Sequence, residues 1–279
     1  MKHNIRITIE LLLWTAAALA FGVIVSPNIL LQEAPPIPFS PLIFVFIIFG
    51  MLLLAAYIWL KLFKKLKPDT LVAVFSGGVG AIMYRAITAL FPLKPMGAIL
   101  SIIVSLSIIW ICSFSFYYLI RLMQKSWRHT RRWYPVINII MAVILPVVAV
   151  IMSKGMPLWA ALLLLFLAAC YDAYAVWKSK HMITLAKTFV KLRMLPGIIV
   201  PRKQREQFAI LGGGDIFFIS FVSASAFPCN GILPIVISIG GFAAILFLFV
   251  FSRKKRFYPA LPFILIGILL SIVIWWWFI

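Results

Sequence analysis

Residues 157–177 are PLWAALLLLFLAACYDAYAVW, and Asp172 is the only charged side chain in this stretch. A helix that spans a membrane needs about 20 mostly apolar residues. The stretch therefore predicts a transmembrane helix, and the same criterion predicts nine such helices along the chain. The predicted spans are 5–25, 41–60, 70–92, 96–120, 135–153, 157–177, 208–227, 231–252 and 259–278.

The composition is that of a chain embedded in a lipid bilayer. Of the 279 residues, 65% are hydrophobic and only 11% are charged, with a mean hydropathy of +1.12. Soluble domains carry about a quarter charged residues, so an ordinary soluble enzyme and a disordered chain are excluded. The predicted fold class is an all-α, multi-pass integral membrane protein with nine transmembrane helices.

The net charge of +20 does not indicate a nucleic-acid partner. A nucleic-acid interface needs its basic residues on one face or stripe, whereas here they lie in short clusters between apolar runs. The three cysteines and three histidines are far apart in the sequence and match no disulfide framework or zinc spacing. We expect neither a metal nor an organic cofactor.

The basic clusters predict how the spans are oriented. Of the 26 Lys and Arg residues, 23 lie at the N-terminus or in the second, fourth, sixth and eighth connections. Because basic residues favour cytoplasmic connections, the pattern predicts a cytoplasmic N-terminus. With nine spans, the C-terminus then lies outside, where Trp275, Trp276 and Trp277 would join an interfacial aromatic belt.

Of the six acidic residues, four lie at or near the ends of apolar runs, whereas Asp172 and Asp215 lie well inside predicted spans. Asp172 is six residues before Lys178, about 9 Å from the cytoplasmic edge, and Asp215 is ten residues after Arg205, about 15 Å if the segment is helical. An ionisable side chain inside a span is costly and by default marks a functional site. The two depths agree within the uncertainty of the boundaries, so we expect the aspartates to meet on consecutive helices.

A pair of buried carboxyl groups has several possible uses. Two carboxylates in a low-dielectric pocket do not both ionise readily, so one of them holds a proton. An aspartic protease uses such a pair as general base and general acid. An ion or proton site in a transporter or channel could use the same pair, and so could a purely structural hydrogen bond. The aspartates alone leave these alternatives open.

Three short motifs narrow the choice. Tyr171-Asp172 lies late in the sixth span, Gly212-Gly213-Gly214-Asp215 lies early in the seventh, and Pro259-Ala260-Leu261 opens the ninth. In this order they resemble the presenilin and signal peptide peptidase family of intramembrane aspartyl proteases, from about residue 170 onwards. Prepilin peptidases also contain a Gly-x-Gly-Asp motif, but they carry paired Cys-x-x-Cys motifs that this chain lacks.

The resemblance implies the activity and the residues that carry it. The chain would be an aspartic endopeptidase that hydrolyses peptide bonds within transmembrane segments or remnant signal peptides, with Asp172 and Asp215 as the catalytic pair. In the Gly-x-Gly-Asp motif, Gly212 and Gly214 would allow the backbone to pack closely beside the Asp215 carboxylate, because glycine has no side chain. Active-site support or substrate positioning is implied for Tyr171, Gly212, Gly214, Pro259, Ala260 and Leu261.

The resemblance also implies an organisation and partners. Residues 1–153 would form a scaffold of five transmembrane helices, and residues 154–279 would form the catalytic part with four. The partners would be transmembrane peptide or protein substrates and the lipid bilayer. The compact length suggests a microbial protein of the cell membrane.

A helical substrate hides its amides, so it must unwind locally before it is cut. We hypothesise that the unwound segment adds as a β-strand to Ile198-Ile199-Val200. Proline at position 199 is then expected to weaken cleavage.

Overall fold

The computed structural model describes residues 5–30, 40–65, 67–90, 98–178, 189, 197–201, 208–251 and 258–278. Within these ranges the chain forms nine helices and two short strands. The helices are α1 (Ile5–Leu30), α2 (Pro41–Lys65), α3 (Pro68–Leu90), α4 (Ala98–Lys125), α5 (Trp127–Ser153), α6 (Leu158–Trp177), α7 (Gly213–Ser225), α8 (Leu233–Phe251) and α9 (Leu261–Phe278). The strands are β1 (Gly197–Pro201) and β2 (Phe208–Gly212). Each of the nine predicted spans overlaps one of these helices.

Seven of the described helices are long and apolar enough to cross a membrane, namely α1, α3, α4, α5, α6, α8 and α9. The helix α7 is shorter. The 13 residues of α7 extend about 20 Å, against about 30 Å for the hydrocarbon core of a bilayer. The chain is an integral, multi-pass membrane protein.

The helices α4 and α5 extend beyond the predicted spans 96–120 and 135–153. Only Ser126 separates them, and its Oγ accepts a hydrogen bond of 3.3 Å from the backbone N–H of His129, which caps α5. The basic connection predicted between these spans is therefore almost entirely helical, and that boundary prediction was wrong. Hydropathy marks only the part of a helix that lies in lipid, whereas Lys and Arg are good helix formers and continue it.

The predicted span 208–227 is also wrong at its start, because residues 208–212 form β2 rather than a helix. β2 pairs with β1 in an antiparallel, two-stranded sheet, with Gly197 opposite Gly212 and Ile199 opposite Ile210. A Cβ on Gly197 would collide with the carbonyl oxygen of Leu211 and lie 2.9 Å from the nitrogen of Gly213. The close approach of the strands therefore requires glycine at position 197.

The short helix α7 lies at the centre of the bundle, with α1, α5, α6, α8 and α9 packed around it. Every residue of α7 from Phe218 to Ser225 is buried. The helices α8 and α9 cross closely where Gly240 meets Gly267, because neither glycine leaves room for a side chain. Through α9, which also packs on α6, the start of the last helix is brought beside α6 and α7.

Candidate active site

The sequence-predicted Asp172 lies on α6, five residues before the helix ends at Trp177. Its side chain is half-buried. One carboxylate oxygen, Oδ2, accepts a hydrogen bond of 3.3 Å from the backbone N–H of Leu261. The first N–H groups of a helix have no partner within it, and Leu261 is the first residue of α9. Asp172 therefore satisfies a donor at the start of the last helix.

Asp215 is the third residue of α7 and is also half-buried. Its carboxylate accepts a hydrogen bond from the backbone N–H of Gly212, the N-cap of the helix. An acidic side chain that reaches back from the third position to the cap residue is one half of a capping box. This local arrangement holds the Asp215 carboxylate at the point where β2 becomes α7.

The structure brings the two carboxyl groups together. The helices α6 and α7 pack against each other, and Asp172 and Asp215 are close enough to interact electrostatically. Residues 208–212 form β2 and not a helix, so the depth of about 15 Å that assumed a helical segment before Asp215 does not apply.

The Pro-Ala-Leu segment lies against this pair. Pro259 is buried, and the carbonyl oxygen of Ala260 accepts a hydrogen bond of 3.1 Å from the N–H of Ile264 in the first turn of α9. Leu261 is buried, and its N–H binds Asp172. The segment thus starts a helix, and the same start supplies a backbone donor to the site.

The two glycines of the Gly-x-Gly-Asp motif have different surroundings. A Cβ on Gly212 would lie 3.2 Å from Oδ2 of Asp215, so the backbone packs closely against the carboxylate there. A Cβ on Gly214 would meet no atom within 4 Å, so the close packing predicted for this glycine is not seen among the described residues. Tyr171 is half-buried and points about 100° around α6 from Asp172.

The other described acidic residues are bound elsewhere. Tyr134 on α5 donates a hydrogen bond of 2.5 Å to Glu10 on α1. Asp69, at the start of α3, forms an ion pair of 2.7 Å with Arg121 near the end of α4. Within the described ranges, His, Cys, Asp and Glu residues form no group of three that could hold a metal ion.

The strand hypothesis needs a correction. Ile198, Ile199 and Val200 do form a strand, but β2 occupies one edge of it. On the other edge, the side chain of Asn138 on α5 accepts a hydrogen bond of 2.9 Å from the N–H of Ile199 and donates one of 2.8 Å to its carbonyl oxygen. Ile199 therefore cannot accept a substrate strand as predicted.

Sequence reasoning missed Asn138 and β2. Asn138 is the only polar residue between Val136 and Pro146 of a predicted span, and a lone amide in such a stretch is a usable signal of an interior contact. The signal for β2 was weaker. The segment Phe208–Leu211 is as apolar as the start of a transmembrane helix. Its strand conformation depends on pairing with Gly197–Pro201, which is not adjacent in the sequence.

Fold and site together define a class of protein, a helical membrane protein in which two packed helices bring two interior carboxyl groups together. The family model for signal-peptide peptidase, presenilin aspartyl protease matches residues 9–276. The chain belongs to this family and is an aspartic endopeptidase. The resemblance drawn from the three motifs is confirmed.

Two solved structures of a presenilin family intramembrane aspartate protease are similar to this chain. The structure in space group C222 has a TM-score of 0.61 and 19% sequence identity, with 95% of each chain covered. The structure in space group P2 has a TM-score of 0.64 and 23% identity, again with 95% of each chain covered. Both likenesses show the presenilin fold. None of the curated proteins matches the chain significantly.

Proposed function

We propose that the chain hydrolyses peptide bonds within transmembrane segments or remnant signal peptides, using a water molecule activated between Asp172 and Asp215. The observation that carries the proposal is the meeting of two half-buried carboxyl groups from α6 and α7. Each carboxylate is also held by a backbone N–H, from Leu261 and Gly212 respectively. Fixed geometry of this kind is what acid–base catalysis requires.

The proposed reaction needs no covalent enzyme intermediate. The ionised aspartate takes a proton from water while the water oxygen bonds to the scissile carbonyl carbon. The protonated aspartate gives its proton to the carbonyl oxygen, which produces a gem-diol. The newly protonated aspartate then gives its proton to the amide nitrogen, while the other carboxylate takes a proton from a gem-diol hydroxyl. The C–N bond breaks, an amine and a carboxylic acid are released, and the pair again holds one proton.

The proposed docking edge is that of β2. Because both polar groups of Ile199 point to Asn138, the pair Ile199–Ile210 is one of the non-hydrogen-bonded pairs of the ladder. The N–H and C=O groups of Ile210 therefore point away from β1. Gly212 lies two residues on, and its N–H points to Asp215. A substrate strand added to this edge would run beside the catalytic carboxylate.

The proposed organisation follows the charge pattern. The N-terminus is cytoplasmic, the C-terminus is outside, and water reaches the aspartates from the cytoplasmic side of a microbial cell membrane. Trp276 and Trp277, each 84% exposed at the end of α9, suit the outer interface. Residues 1–153 serve as the scaffold, and residues 154–279 carry the catalysis.

The test is cleavage of a reporter transmembrane peptide by purified protein. We expect Asp172→Asn and Asp215→Asn each to lower the rate by roughly 10²–10⁴-fold, the usual contribution of a general acid or base. Asp69→Asn is the matched control, because it removes an acid bound to Arg121 outside the site, and it should cleave normally. Cleavage that survives either active-site change would overturn the paired mechanism. Ion flux that depends on the two aspartates without proteolysis would favour a transporter.

A further inference from the structure

Asn138 on α5 joins β1 through two buried hydrogen bonds. Asn138 is 0% exposed in the middle of α5. A buried amide with unmet hydrogen bonds is costly, and this one directs both its donor and its acceptor to a single residue, Ile199, 61 positions along the chain. The amide thus occupies the place that a neighbouring β-strand would take.

This contact has a consequence for both strands. With the polar groups of Ile199 turned to Asn138, Ile198 and Val200 point theirs to Leu211 and Ala209 of β2. A shift of one residue in either strand would reverse which groups face outward and which side chains face each core. Ile198 and Val200 pack in the cluster that includes α7, whereas Ile199 packs in the cluster of α3, α4 and α5.

We infer that Asn138 is a positioning residue that holds the β1–β2 hairpin assembled and in register before substrate arrives. The inference rests on the proposed docking of substrate on β2. An isolated two-stranded hairpin is marginal, and ordering it on binding would weaken affinity. The Asn138 amide supplies this order in advance, so that β2 already presents its outer edge beside Asp215.

The experiment compares the full-length wild type with Asn138→Leu, which keeps the approximate size and removes both hydrogen bonds. Ser153→Ala is the matched control, since Ser153 is a buried polar residue of α5 whose hydroxyl donates a hydrogen bond to the Val150 carbonyl of the same helix. We expect Asn138→Leu to raise KM roughly 10–100-fold, the effect of losing buried hydrogen bonds, with a smaller change in kcat. Ser153→Ala should leave both unchanged.

Amide hydrogen exchange without substrate supplies a readout that does not depend on cleavage. We expect slow exchange at Ile199 in the wild type and in Ser153→Ala, and exchange at least tenfold faster in Asn138→Leu. If Asn138→Leu does not accumulate as folded protein, Asn138→Gln replaces it. That variant keeps an amide but displaces it by one methylene, and the same direction of change is expected.

Two results would overturn the inference. One is rapid exchange of Ile199 in the unliganded wild type, which would mean that the hairpin is not ordered in advance. The other is an Asn138 variant with wild-type KM and wild-type exchange. Failure of the wild type to cleave any peptide would instead count against the proposed function, and the exchange comparison would still decide the role of Asn138.

Discussion

At the scale of single residues, two glycines set how closely β1 approaches β2 and how closely β2 approaches the candidate active site. Gly197 and Gly212 lie opposite each other in the ladder. The space for a Cβ on Gly197 is filled by the backbone of Leu211 and Gly213, which cannot rotate away as a side chain could. Since Gly212 packs on the Asp215 carboxylate, we expect a larger side chain at residue 197 to displace β2 and, with it, the backbone beside Asp215.

We expect Gly197→Ala to lower the free energy of unfolding by roughly 1–3 kcal/mol, the usual cost of overpacking, and to reduce cleavage. The control is Gly231→Ala, because a Cβ at that exposed position would meet no atom within 4 Å. Thermal unfolding in detergent and the cleavage rate measure the two effects. Equal melting temperatures and rates for the two variants would show that the strands have more room than the structure indicates.

At the scale of elements, much of the architecture was predictable because it depends on local hydrophobicity. All nine predicted spans contain helices, since a run of apolar side chains in lipid has few alternatives to a helix. The helix ends at Lys125 and Trp127 were not predictable from hydropathy, which does not distinguish a charged helical turn from a loop. β2 was missed because its conformation depends on pairing with β1 and on the interior contact of Asn138, neither of which is a local property.

The candidate active site was also predictable only in the part that depends on local sequence. The pairing of Asp172 and Asp215 was predictable, because charged residues inside spans are rare and their depths could be compared along one axis. The hydrogen bond from Leu261 to Asp172 was not, because it depends on how α9 packs on α6. The hydrogen bonds that already occupy Ile199 were not predictable for a related reason. Ile198–Val200 has the composition of a strand, but composition does not show which edge is already occupied.

The corrected edge leads to a prediction about proline. Ile210→Pro removes an N–H that points away from β1, and proline is tolerated at such edge positions, so the hairpin should remain while substrate binding weakens. Ile210→Ala is the control, since it loses the same side-chain packing but keeps the N–H. We expect KM to rise about tenfold more in the proline variant, the value of roughly one buried hydrogen bond. Equal KM values would exclude this edge as the docking site.

Weakened cleavage is still expected for proline at position 199, but the structure gives it a different cause. Ile199→Pro would remove the N–H that binds Asn138 and leave a buried amide acceptor unpaired. Weakened cleavage in that variant would therefore report on the hairpin and not on substrate docking.

At the scale of the whole molecule, the candidate active site lies where three chain segments meet near one end of the bundle. Asp172 is near the end of α6, Asp215 is in the first turn of α7, and Leu261 begins α9. If the charge pattern orients the bundle as proposed, all three ends face the cytoplasm. The opposite end of α7 then leads into an outer turn that contains the exposed Cys229.

That orientation can be tested with this native cysteine. In a Cys112→Ser, Cys170→Ser background, a membrane-impermeant maleimide added to intact cells should label Cys229. A cysteine at the exposed Lys67, introduced in the same background with Cys229→Ser, should be labelled only after the membrane is permeabilised. Basic clusters prefer the cytoplasmic side of a membrane. Lys67 belongs to such a cluster, so it should be cytoplasmic, whereas Cys229 lies in a connection without basic residues and should be outside. The reverse labelling pattern would place the aspartates on the outer side, and water and substrate ends would then have to reach them from there.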